Sequence, residues 1–332
     1  RRGLGRRPQV FPRWVYFMEV EKMAEEKKRV AVLAAGVGVV FVGSTAAQVA
    51  VSLICGLIAP GLLEKMWFQL IASSVCLYGC GMVPGWLILR RMDTEREPRQ
   101  RMRALTLAAV VSVAVVALLA GSLAGTVVNF LITLVTGKEQ TNPVETIANG
   151  VPLGVLTLCT VILAPVAEEL FFRRVLIDRL RRYGDIPAIL CSAVIFGLAH
   201  GNFSQFFYAF LLGLIFGGMY CATGRLRYSI GLHMAINFFG SVYTTLLTRR
   251  MGAEFTPAAL IADPVALLMY LGLLAVYGLA ILAFVPSLLL IIRRFHPRRW
   301  HNPYTAGQWA NIVLLNPAVW IDCAVFAVRF LL

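Results

Sequence analysis

Seven stretches of this 332-residue chain, at 30–63, 66–89, 104–137, 146–167, 186–224, 228–248 and 264–292, contain no Asp, Glu, Lys or Arg. A hydrocarbon core takes about 20 apolar residues per helical crossing, and inside it every backbone N–H and C=O must be satisfied within the protein. Runs of this length predict an all-α fold, a polytopic transmembrane helical bundle. The 39-residue run 186–224 is too long for one crossing. Gly201-Asn202 is its natural break, so about eight helices are expected, with this run crossing twice as 187–200 and 204–222. The run 104–137 is long for a perpendicular crossing and is expected to tilt or break near Gly121 and Gly125. A last apolar segment, 308–331, is interrupted by Asp322 and Arg329 and fits either a crossing or an interfacial position.

Charge narrows the reading further. Only 14% of residues are charged and 59% are hydrophobic, against about 25% charged in a soluble domain, which excludes a disordered or simple soluble chain. A formal charge of +14 in a soluble protein would suggest nucleic acid, but the positive-inside rule accounts for it here. Of the 31 Lys and Arg, 26 fall in 1–29, 90–103, 168–185, 225–227 and 293–299, segments that share one side if the runs cross as described. The opposite loops, around Lys65, Lys138 and Arg249-Arg250, hold four. The N-terminus is therefore predicted to be cytoplasmic, and no nucleic-acid partner is called for.

The seven cysteines sit inside the apolar runs and read as small buried hydrophobes. The first run is far longer than the apolar region of a cleaved signal peptide and is expected to remain as an anchor, with Met18 or Met23 a reasonable start. The expected organisation is a basic segment 1–29, three helices within 30–137 joined by the connector 90–103, a core at 145–250 beginning with a helix near Ile147, and a further helix and apolar segment in 264–332.

Against this background a few polar residues stand out, because an ionisable group at membrane depth costs about 2.5–3.5 kcal/mol and tends to face the bundle interior. Glu168 and Glu169 follow APVA, Arg173 comes four residues later, His200 closes the first half of the divided run, and His233 and Asn237 lie in SIGLHMAINFFG. Glu169 and Arg173 are spaced i, i+4, as are Phe196 and His200, and His233 and Asn237, which places each pair on one helix face. Glu168 then points about 100° away from Glu169, outside that ion pair. A carboxylate left free in apolar surroundings is a candidate general base. Glu168 lies about 21 Å along its helix from Arg181-Arg182, and His200 about 20 Å from Pro187. They can meet at one level. Asn237 and His233 come only about 15 and 9 Å from Arg227, so joining them requires the fourth helix to protrude or tilt.

Each group alone has a bland account: a helix end at the headgroups for the Glu-Glu and Arg-Arg pairs, a cap for His200, core packing for Phe196, and interhelical hydrogen bonding for His233 with Asn237. Taken together and in order, EExxxR, FxxxH and HxxxN resemble the CAAX protease and bacteriocin-processing (Abi) family of intramembrane endopeptidases, which includes the type II CAAX prenyl endopeptidases. The resemblance covers about 145–245. It implies that Glu168 activates water with help from His200, that His233 and Asn237 stabilise the oxyanion, and that Glu169 and Arg173 fix the local helix. These roles suit amide hydrolysis, which needs a base and donors aimed at developing negative charge. A peptide or protein substrate at the membrane is implied, with bacteriocin maturation or self-immunity among the roles of relatives.

The family has been described both as metal-dependent and as glutamate-dependent. Glu, His and His could bind Zn²⁺ with an open position for water, but HExxH is absent and no outer carboxylate beside either histidine is evident from the spacing. Direct activation of water by Glu168, with no cofactor, is the favoured reading, and zinc is the alternative. The rival readings of the whole chain are a non-catalytic scaffold or immunity protein and a proton-coupled transporter. The absence of inverted, broken halves speaks against the transporter. The topology has a direct test: a cysteine replacing Glu95 should resist an impermeant thiol reagent in intact cells, and its labelling from outside would reverse the assigned orientation.

Overall fold

The structure is a computed structural model that describes residues 13–97, 99–138, 150–252, 256–299 and 304–331. The expected beginning of the core at 145 and of its first helix near Ile147, and the first twelve residues of the basic segment, lie outside the described residues. Ten helices carry the architecture: α1 (Arg13–Ile58), α2 (Met66–Leu89), α3 (Ala104–Thr136), α4 (Leu153–Tyr183), α5 (Asp185–Ala199), α6 (Phe203–Thr223), α7 (Leu226–Met251), α8 (Pro264–Arg294), α9 (Ala306–Leu314) and α10 (Pro317–Leu331). No strand occurs among the described residues. Seven of the helices are long and apolar enough to cross a membrane, and α9 with α10, bent by 66° between them, would make an eighth. The chain is an integral, multi-pass membrane protein.

Two expectations about individual helices change. The segment ending at His200 is not a full crossing: α5 has 15 residues and so rises about 22 Å, short of a hydrocarbon core of about 30 Å. The chain turns at once into α6 through Gly201, whose φ of +67° suits a residue without a Cβ. His200 therefore sits at the tip of the α5–α6 hairpin. The third helix, expected to tilt or break near Gly121 and Gly125, does not break: it is continuous from 104 to 136. Its glycines serve close packing instead. A Cβ on Gly121 would come within 2.5 Å of the Tyr208 backbone nitrogen, and one on Gly125 within 2.6 Å of the Phe203 carbonyl oxygen. Both neighbours belong to the α6 backbone. The final apolar segment folds as α9 and α10 against α1.

The basic segments gather at one end, as their distribution requires. There Arg96 pairs with Asp178 at 2.8 Å, Arg181 with Glu97 at 3.2 Å and Asp185 at 2.9 Å, and Arg298 with Glu95 at 3.0 Å and Glu97 at 2.5 Å. At the other end Arg249 donates to the Val151 carbonyl at 2.6 Å and Arg250 pairs with Asp263 at 2.5 Å. Arg173 is the exception within its segment, since it pairs with Glu169 and has no exposed surface. The main core joins α1, α2, α4, α5 and α10 through Val37, Val40, Phe41, Leu89, Phe171, Leu176, Phe196 and Phe326. A second cluster joins α3, α6 and α7 through Val110, Ala114, Phe216 and Leu232.

Among the described residues the helices widen into π-helical turns in four places: Cys76–Met82 in α2, Thr157–Leu163 and Leu170–Ile177 in α4, and Phe238–Tyr243 in α7. Such turns are rare and concentrate at functional sites. The α3–α6 contact predicts that Gly121→Leu, which must push two backbones apart, lowers unfolding stability in detergent by about 1–3 kcal/mol or more. Leu123→Ala, on an exposed position of the same helix, should leave the midpoint nearly unchanged.

Candidate active site

The interior polar groups are held by α4, α5 and α7, with one contribution from α2. Glu169 and Arg173, one helical turn apart on α4, are both completely buried, with Arg173 Nε 3.2 Å from Glu169 Oε2. The guanidinium has no good hydrogen-bond geometry to any oxygen. It lies instead against three phenyl rings, its carbon 4.5 Å from the centre of Phe196, 5.4 Å from Phe216 and 5.9 Å from Phe172, an arrangement that stabilises a cation through the ring faces. The second oxygen of Glu169 accepts from His233 Nδ1 at 3.1 Å, joining α4 to α7. Phe216 stacks on the His233 ring at 5.0 Å and 25°, while the Phe196 ring stands edge-on between His233 and His200, 5.8 and 5.1 Å from their centres.

Glu168 faces a different direction, as its one-residue offset from Glu169 requires. Its side chain is 14% exposed, and its Oε2 is 3.8 Å from His233 Nε2. It is not free of partners, however: Tyr78 on α2 donates its hydroxyl hydrogen to Oε1 at 3.3 Å. Tyr78 is absent from the three motifs. The available signal was a hydroxyl within an apolar run, since a buried tyrosine oxygen needs a partner. Thr160 was missed in the same way, while Phe172 and Phe216 carry no polar atom that would mark them within apolar runs.

His200 lies within electrostatic reach of Glu168 and His233. Its Nδ1 is 2.9 Å from the Phe196 carbonyl oxygen, which can only accept, so in the neutral ring Nδ1 carries the hydrogen and Nε2 has a lone pair. Asn237 donates from Nδ2 to the Thr160 carbonyl at 2.8 Å. That nitrogen has a second hydrogen, which this bond orients but does not use. Ser241 donates to the main-chain carbonyl of Asn237 at 2.5 Å and lies 3.1 Å from the Thr160 hydroxyl. All six residues singled out by spacing thus belong to one region of the bundle interior.

The geometry also bears on metal binding. Contrary to the spacing argument, an outer carboxylate does stand beside one histidine, because Glu169 holds His233 Nδ1. Both imidazoles have Nδ1 engaged and Nε2 without a hydrogen-bond partner, as metal-ligating histidines do. Among the described residues, however, no three or more His, Cys, Asp or Glu side chains are close enough to hold a metal ion. As placed, this set does not fit a metal centre. It offers a carboxylate on α4, an imidazole lone pair on α5 and an amide N–H on α7.

Residues 150–239 match the family model described as Type II CAAX prenyl endopeptidase Rce1-like. The chain is 26% identical over 170 residues to a protein of Bacillus subtilis named membrane peptidase YdiL, covering 50% of this chain and 68% of that one. It is 31% identical over 131 residues to the membrane-embedded CAAX protease MroQ of Staphylococcus aureus, covering 36% of this chain and 52% of that one. No solved structure matches. The likeness to the CAAX protease family is thereby shown, and the matched segment contains every residue of the three motifs.

The buried pair yields a stability prediction. Glu169→Gln strips the counter-charge from a buried guanidinium and should cost about 3–5 kcal/mol. Adding Arg173→Met should recover much of that loss, a coupling that thermal unfolding of the two single variants and the double variant in detergent would measure.

Proposed function

Proceeding from the family likeness of residues 150–239, we propose that this chain is an intramembrane endopeptidase that hydrolyses a peptide bond with water activated by Glu168. The observation that carries the reading is the pairing of two adjacent glutamates with opposite fates. Glu169 is locked between Arg173 and His233 at zero exposure, whereas Glu168 retains exposure and touches only a tyrosine hydroxyl and, more distantly, His233. A scaffold that needed only interhelical glue would have no use for the second carboxylate. A protease needs a base that can reach water.

In this reading Glu168 takes a proton from the attacking water, with Tyr78 holding the carboxylate in place and the Nε2 lone pair of His200 available to share the proton. Attack on the scissile carbonyl places negative charge on its oxygen, where the second N–H of Asn237 serves as donor. His233 would donate there through Nε2 when both of its ring nitrogens are protonated, with Glu169 anchoring Nδ1. The proton held by Glu168 then passes to the departing amine. The substrate is a peptide segment that enters the bilayer or lies against it, and the cytoplasmic position of the basic end is part of the same proposal.

Purified protein incubated with a peptide library and read by mass spectrometry tests the reading. Glu168→Gln keeps shape and hydrogen bonding but removes the base, so cleavage should vanish while folding is retained. A folded, fully active Glu168→Gln would refute the mechanism. Asn237→Ala should lower kcat by about 10²–10³ with a smaller change in KM. Activity should also survive metal chelation; stoichiometric Zn²⁺ lost and restored together with activity would establish the metal-dependent alternative.

A further inference from the structure

The turn that carries His200 is closed by a residue far outside the matched segment. The last carbonyls of a helix lack partners within it and carry the negative end of its dipole. In α5 each is accounted for: the Phe196 carbonyl accepts from His200 Nδ1, that of Gly197 from the His200 backbone N–H, that of Leu198 from the Gly201 N–H, and that of His200 from Asn202 Nδ2. These four bonds are internal to the α5–α6 hairpin. The Ala199 carbonyl accepts from Arg329 Nη2 on α10 at 3.1 Å.

Three further contacts hold α10 at this point. The Arg329 guanidinium carbon lies 5.1 Å from the ring centre of Phe41, a core residue of α1. A Cβ on Gly201 would stand 3.3 Å from Arg329 Nε. The next residue, Phe330, packs its ring on Phe203 at 4.8 Å and Phe206 at 5.9 Å, the first turn of α6. The helix therefore grips both arms of the turn. Arg329 has no ion pair among the described residues, so no carboxylate offsets its cost in an apolar segment. An arginine near a helix end often extends its charge to the headgroups, but this one is pinned to a helix C-terminus and a core ring.

We propose that Arg329 is a positioning residue for His200: by closing the last open carbonyl of α5 from α10, it fixes the 200–202 turn and with it the direction of His200 Nε2. The proposal rests on the reading of His200 as a participant in water activation. It extends the working site beyond residues 150–239 to the C-terminal helix.

The test uses the full chain in detergent or nanodiscs, with Arg329→Leu, Arg329→Gln, Arg329→Lys and His200→Gln. The sequence has four histidines, so ¹⁵N-histidine NMR is tractable, and His200→Gln assigns the His200 signals. In the wild type at alkaline pH His200 should show one tautomer, hydrogen on Nδ1. Arg329→Leu should mix the tautomers and lower kcat about 10- to 100-fold on the best-cleaved library peptide, the scale of a small misplacement of a catalytic group. KM should stay within about twofold, since Arg329 does not touch substrate. Arg329→Gln, whose amide is too short to reach Ala199, should behave like Leu, and serves if Leu does not fold. Arg329→Lys, which keeps a long donor, should restore the tautomer and most of kcat. Folded Leu and Gln variants with an unchanged tautomer and kcat would overturn the proposal. If His200→Gln remained fully active, the assignment of His200 would fail separately, and the tautomer measurement would still decide whether Arg329 positions the ring.

Discussion

The buried contact among Glu169, Arg173 and His233 is the constraint on which the rest of the interior depends. Two opposite charges with no exposed surface face a large desolvation cost, and breaking such a pair is far worse than never having it. Here the cost is offset by attraction at 3.2 Å, by the His233 N–H on the second oxygen, and by three phenyl rings around the guanidinium. Those partners come from α4, α5, α6 and α7, so satisfying one arginine fixes four helices relative to one another. Glu168, the next residue, inherits a defined direction from that arrangement and meets Tyr78 and the edge of His233.

The π-helical turns coincide with the polar groups of the bundle interior. Each extra residue per turn rotates the following helix face and releases the usual carbonyl pairing. Tyr78 lies in one such turn; Glu168 and Glu169 lie between two others, with Thr160 in the first and Arg173 in the second; Asn237 directly precedes the fourth, which contains Ser241. The site is thus assembled where the helices are least regular. The regular parts are bound tightly, as where the glycines of α3 admit the backbone of α6.

Much of this protein was legible in the residues alone. Runs without charge dictate helices because backbone hydrogen bonding in hydrocarbon must be satisfied locally, and the basic residues sort the ends of those helices into two groups. Spacing within one helix also sufficed for the Glu169–Arg173 pair and for the separation of Glu168 from it, since neighbours at i+4 meet whatever the tertiary packing. Tertiary structure alone decided the contacts between helices: Tyr78 on Glu168, Glu169 on His233, Asn237 on the Thr160 carbonyl, and Arg329 on Ala199. It also decided that α5 stops short and that Gly121 and Gly125 join helices where a tilt or a break was expected. Such contacts depend on the depth and rotation of each helix. Those are set by irregular turns and by the close packing of side chains distant in sequence, neither of which leaves a periodic trace along the chain.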